Sequence, residues 1–330
     1  MRPRGSGEGE LELALINVYV DESKNGVGSA GSMSNALSLD AMLAPHPCFG
    51  GAAGVGRFEG RVVVVTGAGS IADGLGNGRA TSVLYAREGA QLVLVDRAGE
   101  AAERTAALVR KEGGSCITVE ADVSEPEGVS AFVTTAMESY GAIDVLQANV
   151  GIGAVGHLID YELPRWELMF RVNVTSLFLA AKAVVPHMKR QGAGAIVNVS
   201  SIASLRSVGP PFAAYSASKA AANQLIRAMA VEFAPDNIRC NSVVVGYVDT
   251  PTVAVAYRNL DETARIALSE RRAAAVPLRR TGSAWDVAHA SLFLASEDAQ
   301  FITGTEVVVD GGLTNSADRT TAAIEPLGRQ

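Results

Sequence analysis

The chain has 330 residues, 48% of them hydrophobic and 19% charged, and a net charge of −7. That balance belongs to a globular protein long enough for a large α/β domain, and its acidic character excludes nucleic acid as a main partner, since phosphate binding calls for a basic face. No uninterrupted apolar run approaches a bilayer span. The three scattered cysteines, Cys48, Cys116 and Cys240, fit neither a disulfide framework nor a zinc spacing. The expectation is therefore a reduced, cytoplasmic chain with no metal and no membrane partner.

In chain order, residues 1–56 are rich in Gly, Ser and Ala and carry no sustained period, which predicts a low-structure N-terminal extension. Acidic residues flank its one apolar patch and no small-residue cleavage site follows, so a signal peptide is not expected. The run from Val55 has the look of an ordinary enzyme start. If Val55 is encoded by a GTG initiator, residues 1–54 lie upstream of the natural product.

The main domain is expected over 57–315, with a polar tail at 316–330. Short apolar runs predict strands at 61–66, 91–95, 116–120, 143–148, 194–199, 238–245 and 305–309. Helical patterns fall between them at 77–88, 98–112, 125–140, 164–190, 212–234 and 283–295. Such alternation implies an α/β, Rossmann-type doubly wound parallel sheet with helices on both faces. The stretch 250–282 breaks the rhythm and is expected over the carboxyl ends of the strands as a substrate lid.

The first strand runs into Thr66-Gly67-Ala68-Gly69-Ser70, and Gly76-Asn77-Gly78-Arg79 opens a helix. Glycines at such a turn let backbone approach a pyrophosphate, and the helix N-terminus supplies N–H donors. Asp96 ends the second strand, where a carboxylate accepts the ribose hydroxyls of NAD and repels a 2′-phosphate. NAD is favoured, while Arg79 and Arg97 leave NADP open.

Tyr215 and Lys219 lie four residues apart, on one face of a helix. A free phenol, with a pKa near about 10, is a poor catalyst at neutral pH, and a nearby ammonium is expected to lower it. Ser201 closes an apolar strand upstream, where its hydroxyl can bond a reacting oxygen. Asn173 sits inside a predicted helix where Asn gains little from the backbone, either as a structural amide or as the holder of a relay water.

Together these motifs resemble the short-chain dehydrogenase/reductase family in its form of about 250 residues, and they arrive in that family's order. The series is Thr66-Gly67…Gly76-x-Gly78, Asp122-Val123, Asn149-Val150-Gly151, Asn173, Ser201, Tyr215-x-x-x-Lys219, Gly246 with Thr250-Pro251, and Asp310-Gly311-Gly312. The resemblance implies Tyr215 as acid-base catalyst, Ser201 as substrate orienter and Asn173 as support for the proton relay. Lys219 would lower the tyrosine pKa and bond the nicotinamide ribose. Asp122 and Val123 would flank the adenine, Asn149 and Gly151 would back the cofactor, and Thr250 would meet the carboxamide. A homotetramer packed through helices 164–190 and 212–234 is also implied.

The sequence departs from the family pattern in three places. The glycine loop is lengthened by Ile71–Leu75, Ala148 replaces an asparagine, and Val245 stands where proline is common. The pocket residues, from Ile152 to His157, Ile202 to Phe212 and 247–278, suggest a small or medium, largely uncharged alcohol or ketone, with His157 a loop residue. The alternatives are an NADPH-dependent 3-oxoacyl carrier-protein reductase, a nucleotide-sugar epimerase or dehydratase, and a non-enzymatic cofactor sensor.

Overall fold

Val62, Val63, Val64, Val65 and Thr66 give a strand with no polar face, and burial of all five places it at the centre of a sheet covered on both sides. The computed structural model describes residues 56–207 and 211–316. The expectations for residues 1–55, for Cys48 and for the tail beyond 316 lie outside the described residues.

The strands are β1 (Val62–Thr66), β2 (Gln91–Asp96), β3 (Ser115–Glu120), β4 (Val145–Ala148), β5 (Gly194–Ser201), β6 (Ile238–Val245), β7 (Val248–Asp249), β8 (Gly282–Ser283) and β9 (Glu306–Val309). Seven of them form one all-parallel sheet in the order β3-β2-β1-β4-β5-β6-β9, while β7 and β8 make a separate two-stranded ribbon. The order reverses between β1 and β4. A crevice must open there at the carboxyl ends, because the crossovers on either side diverge.

Alternation along β1 shows how the two layers are filled. Val63 and Val65 pack with Leu92, Leu94 and Trp285 under helices α1 (Asn77–Arg87) and α2 (Gly99–Lys111). Val62 and Val64 face the other way, toward Phe132 of α3 (Pro126–Tyr140), and join a layer containing Leu146, Met188 and Ile226. Each such side chain contributes about 1.5–3 kcal/mol by leaving water.

The predicted helix 164–190 is one rod broken by a local change of pitch: α4 (Leu163–Phe170), a π turn at Arg171–Thr175, and α5 (Ser176–Gln191). By length and hydropathy this rod could cross a membrane. Its Leu177, Ala180, Val184, Val185 and Met188 are instead buried against the sheet. Helix α6 (Ala213–Phe233) follows β5 and packs beside it in the same layer.

The lid expected at 250–282 is two helices, α7 (Pro251–Ala256) and α8 (Glu262–Ala275), closed by the β7–β8 ribbon. Pro251 is the one buried residue of α7, and α8 has none. Helix α9 (Ala284–Ala295) then returns to the sheet through a capping box between Ser283 and Asp286. At its far end Arg239 donates to the carbonyls of Leu294, Ala295 and Ser296 at 2.6, 3.0 and 2.9 Å, satisfying groups the helix leaves unpaired.

Candidate active site

The glycine loop leaves β1 at Thr66, and Gly67 takes φ +64, the left-handed region that glycine enters at no steric cost. Gly78, in the first turn of α1, lies so close that a Cβ there would strike the Gly67 carbonyl oxygen. Gly76 caps α1 without a side-chain hydrogen bond, and no acidic side chain stands in the first turn. The N–H groups of that turn are thus open to an anion.

Asp96 sits beside them at the end of β2. Its Oδ2 accepts from the Gly69 N–H at 2.9 Å and its Oδ1 from the Ala98 N–H at 3.0 Å. Two backbone donors fix the carboxylate at the mouth of the crevice and leave it further acceptor positions. Arg79 is 4% exposed, donating to the Gly74 carbonyl at 2.5 Å and to Thr105 Oγ1 at 3.2 Å. Its guanidinium is tied up inside the loop, whereas Arg97 is exposed next to Asp96.

Asp122 and Val123 follow β3. Val123 is buried, and the Asp122 carboxylate accepts from the Ser124 N–H at 2.8 Å and hydroxyl at 2.7 Å. Asn149, just past β4, donates to the Thr66 carbonyl at 3.3 Å and accepts from Gln147 at 3.1 Å. Gln147 also accepts from the Tyr85 hydroxyl at 3.3 Å and donates to Ser291 at 3.4 Å. No sequence pattern pointed to this buried link, because a lone Gln in an apolar strand carries no spacing signal. Thr250 stands directly before α7 and does not cap it through its side chain.

Asn173 lies in the π turn and is 2% exposed. Its Oδ1 accepts from the Ile152 N–H at 2.8 Å, and its Nδ2 donates to the Ile152 carbonyl and to Ser218 Oγ, each at 2.9 Å. Ser218 Oγ donates in turn to the Tyr215 carbonyl at 2.8 Å. One amide therefore joins the β4 loop, the broken helix and α6. These are the bonds of a structural amide. Ser218 was missed, although its place three residues after Tyr215 puts it near the same helix face.

Lys219 is 4% exposed, and its Nζ donates to the Val199 carbonyl at 3.0 Å. A Cβ on Gly151 would lie 2.8 Å from that Nζ and 3.3 Å from Asn173 Oδ1, so a side chain there would displace the ammonium. Burial pushes Lys219 down to about 8. Burial also raises the Tyr215 phenol above its ordinary value, and a hydrogen bond with Ser201 pulls it the other way. The expected depression of the phenol by the ammonium is not what this site shows, because loss of water disfavours phenolate and ammonium alike. Ser201 Oγ accepts from the Ala203 N–H at 3.2 Å, and the Phe212 ring lies 5.6 Å from that of Tyr215.

Behind Asn173 a cavity of about 10 Å³ is lined by Thr66, Ala148, Asn198 and Ser176. His157 is exposed in its loop, as expected. Of the lid arginines, Arg272 is held between the rings of Tyr247 and Tyr257 and pairs with Asp249 at 3.2 Å. Among the described residues no group of His, Cys, Asp or Glu could hold a metal ion, and Cys116 and Cys240 are free thiols.

A doubly wound sheet with an open helix N-terminus at its switch point, and a hydroxyl, a phenol and a buried ammonium beside it, defines a nucleotide-dependent oxidoreductase site. Residues 71–314 match the family model described as Enoyl-(Acyl carrier protein) reductase. The 2-(R)-hydroxypropyl-CoM dehydrogenase of Xanthobacter autotrophicus is 38% identical over 77% of this chain and 98% of its own. The cis-4-hydroxycyclohexanecarboxylate dehydrogenase of Sinomonas cyclohexanicum is 39% identical over 78% and 98%. The crystal structure of a short-chain dehydrogenase/reductase from Burkholderia xenovorans superposes with a TM-score of 0.77 at 40% identity, covering 80% of this chain and 100% of that one. The chain belongs to the short-chain dehydrogenase/reductase family of oxidoreductases.

The bracing by Asn173 can be measured. Asn173→Ala removes both partners of the Ile152 backbone and the bond that Ser218 accepts, and is expected to lower stability by about 2–3 kcal/mol. Urea unfolding reads the change, and an unshifted midpoint would show that the amide carries no structural load.

Proposed function

We propose that this enzyme transfers a hydride between NAD and a small or medium, largely uncharged secondary alcohol or its ketone. The observation that carries this reading is the convergence of Ser201, Tyr215 and Lys219 at the carboxyl ends of the strands, with the lysine buried beneath the Gly151 turn. Both relatives compared above are named as dehydrogenases of hydroxy compounds, which supports the reaction class.

The cradle fits a dinucleotide. Gly67, Gly76 and Gly78 leave space and open N–H groups for a pyrophosphate, and Asp96 would take the adenosine ribose. Asp122 and Val123 would flank the adenine, Asn149 and Gly151 would back the nicotinamide half, and Thr250 would bond the carboxamide. When bound, NAD supplies the hydride acceptor.

The chain's own groups supply the rest. Ser201 Oγ donates to the substrate oxygen and fixes it near the phenol. Tyr215 Oη takes the alcohol proton during oxidation and returns it during reduction. Lys219 serves the phenol as the adjacent titrating group and bonds the nicotinamide ribose, while Asn173 holds the loop and helix that carry them. The outward face of α6 carries the small residues Ala213, Ala217, Ala220 and Ala221, and Phe178 is exposed on α5. Both features support self-assembly, proposed as a homotetramer.

Three experiments test this reading. Tyr215→Phe should lower turnover of a secondary-alcohol panel by about a thousandfold or more, judged against typical acid-base contributions, while NADH binding stays intact. Oxidation needs Tyr215 to accept a proton, and burial holds its phenol above the ordinary value, so the oxidation rate of the wild-type enzyme should keep rising into alkaline pH, with reduction falling in the same range. A Tyr215→Phe enzyme as active as wild type would end the catalytic assignment and leave the cofactor-sensor alternative. Separate fluorescence titrations with NADH and NADPH should favour NADH by about tenfold or more, the scale of one ribose-site contact. Preference for NADPH would move the reading to a 3-oxoacyl carrier-protein reductase with Arg97 on the 2′-phosphate.

A further inference from the structure

The inserted residues Ile71–Leu75 leave the glycine loop and return to it almost at the same point. A Cβ on Gly76 would lie 3.5 Å from Ser70 Oγ and 3.7 Å from Ser70 Cβ, so the insert is an excursion on an otherwise closed loop. Its far end is not left in solvent. Leu75 packs against the core layer under α1, and the Gly74 carbonyl accepts the Arg79 guanidinium at 2.5 Å. Arg79 is in turn held by Thr105, whose hydroxyl donates to the Ala68 carbonyl at 2.9 Å. A buried cation with no carboxylate in salt-bridge contact among the described residues thus braces the insert from below.

The insert then reaches the lid. Gly74 adopts φ +116, and a Cβ there would lie 3.0 Å from Pro251 Cγ and 3.8 Å from its Cδ. The Gly74 backbone therefore packs on the proline ring, where a side chain would press. Pro251 is the one buried residue of α7, and α8 has none, so few apolar contacts hold the lid in place. Thr250, the residue proposed to meet the carboxamide, is directly before it.

We propose that the Ile71–Leu75 insert is a positioning element that props the root of the lid, at Thr250 and Pro251, against the cofactor loop through Gly74 and the Arg79 brace. The inference rests on the cofactor reading above for its purpose, though the contact itself does not. Cofactor occupancy and lid position are thereby linked by direct packing between the two segments.

The test compares hydrogen–deuterium exchange at the Ala254 and Tyr257 amides, which bond Thr250 and Val253 in α7. Three proteins are needed: wild type, a variant joining Ser70 to Gly76, and Gly74→Ala, which keeps the insert but crowds Pro251. In the free proteins both variants should exchange these two amides about tenfold faster than wild type, while β1 amides keep their rates, which a general loss of stability would not allow. With NADH as probe, the shortened variant should bind within about threefold of wild type yet lose most of the added protection at α7. Unchanged α7 exchange in the free variants would overturn the inference, and Gly74→Ala decides it if the shortened chain does not fold. Failure of NADH to bind wild type would instead end the cofactor reading, with the comparison of free proteins still deciding this one.

Discussion

The arrangement at the crevice depends on keeping the Lys219 amino group out of water with a single backbone carbonyl as its hydrogen-bonding partner among the described residues. An ammonium in that position is disfavoured, so its proton becomes easy to remove. The surrounding sequence is arranged to tolerate the group. Gly151 gives it room, the end of β5 supplies the Val199 carbonyl, and α6 sets Lys219 and Tyr215 on one face. Asn173 ties the glycine-bearing loop to α6, and a π turn in the broken helix presents its amide.

The cofactor side follows a different logic, that of backbone donors. Glycines at the loop and at the start of α1 bring chain against chain closely enough that no side chain intervenes. The Asp96 carboxylate is held by two N–H groups instead of by a cation, so it keeps its charge available to ribose hydroxyls. Arg79 does not pair with it, because that guanidinium is turned into the loop and carries the Gly74 segment.

Much of this was legible before the structure, for physical reasons. Apolar runs such as Val62–Thr66 and Leu92–Val95 have one use in a chain of this kind, the buried parallel strand, and all seven sheet strands lie within two residues of their predicted positions. The order of the motifs then carried the family. What escaped were features with no repeating pattern. The π turn at Asn173 depends on bonds to Ile152 and Ser218, which are distant in sequence. The Gln147 link to Tyr85 and Ser291 joins three elements through single residues. The phenol was expected to be lowered by its neighbour because spacing shows proximity but not burial, and burial decides the direction here.

The claim that most of this account leans on is the proton lability of Lys219, and carbon-13 NMR of lysine side chains measures it directly. The Cε signal assigned by comparison with Lys219→Met should titrate with a midpoint of about 8 in the folded protein. A midpoint near about 10.4, the value of a lysine in water, would mean that the group is solvated and that burial does not set its proton affinity.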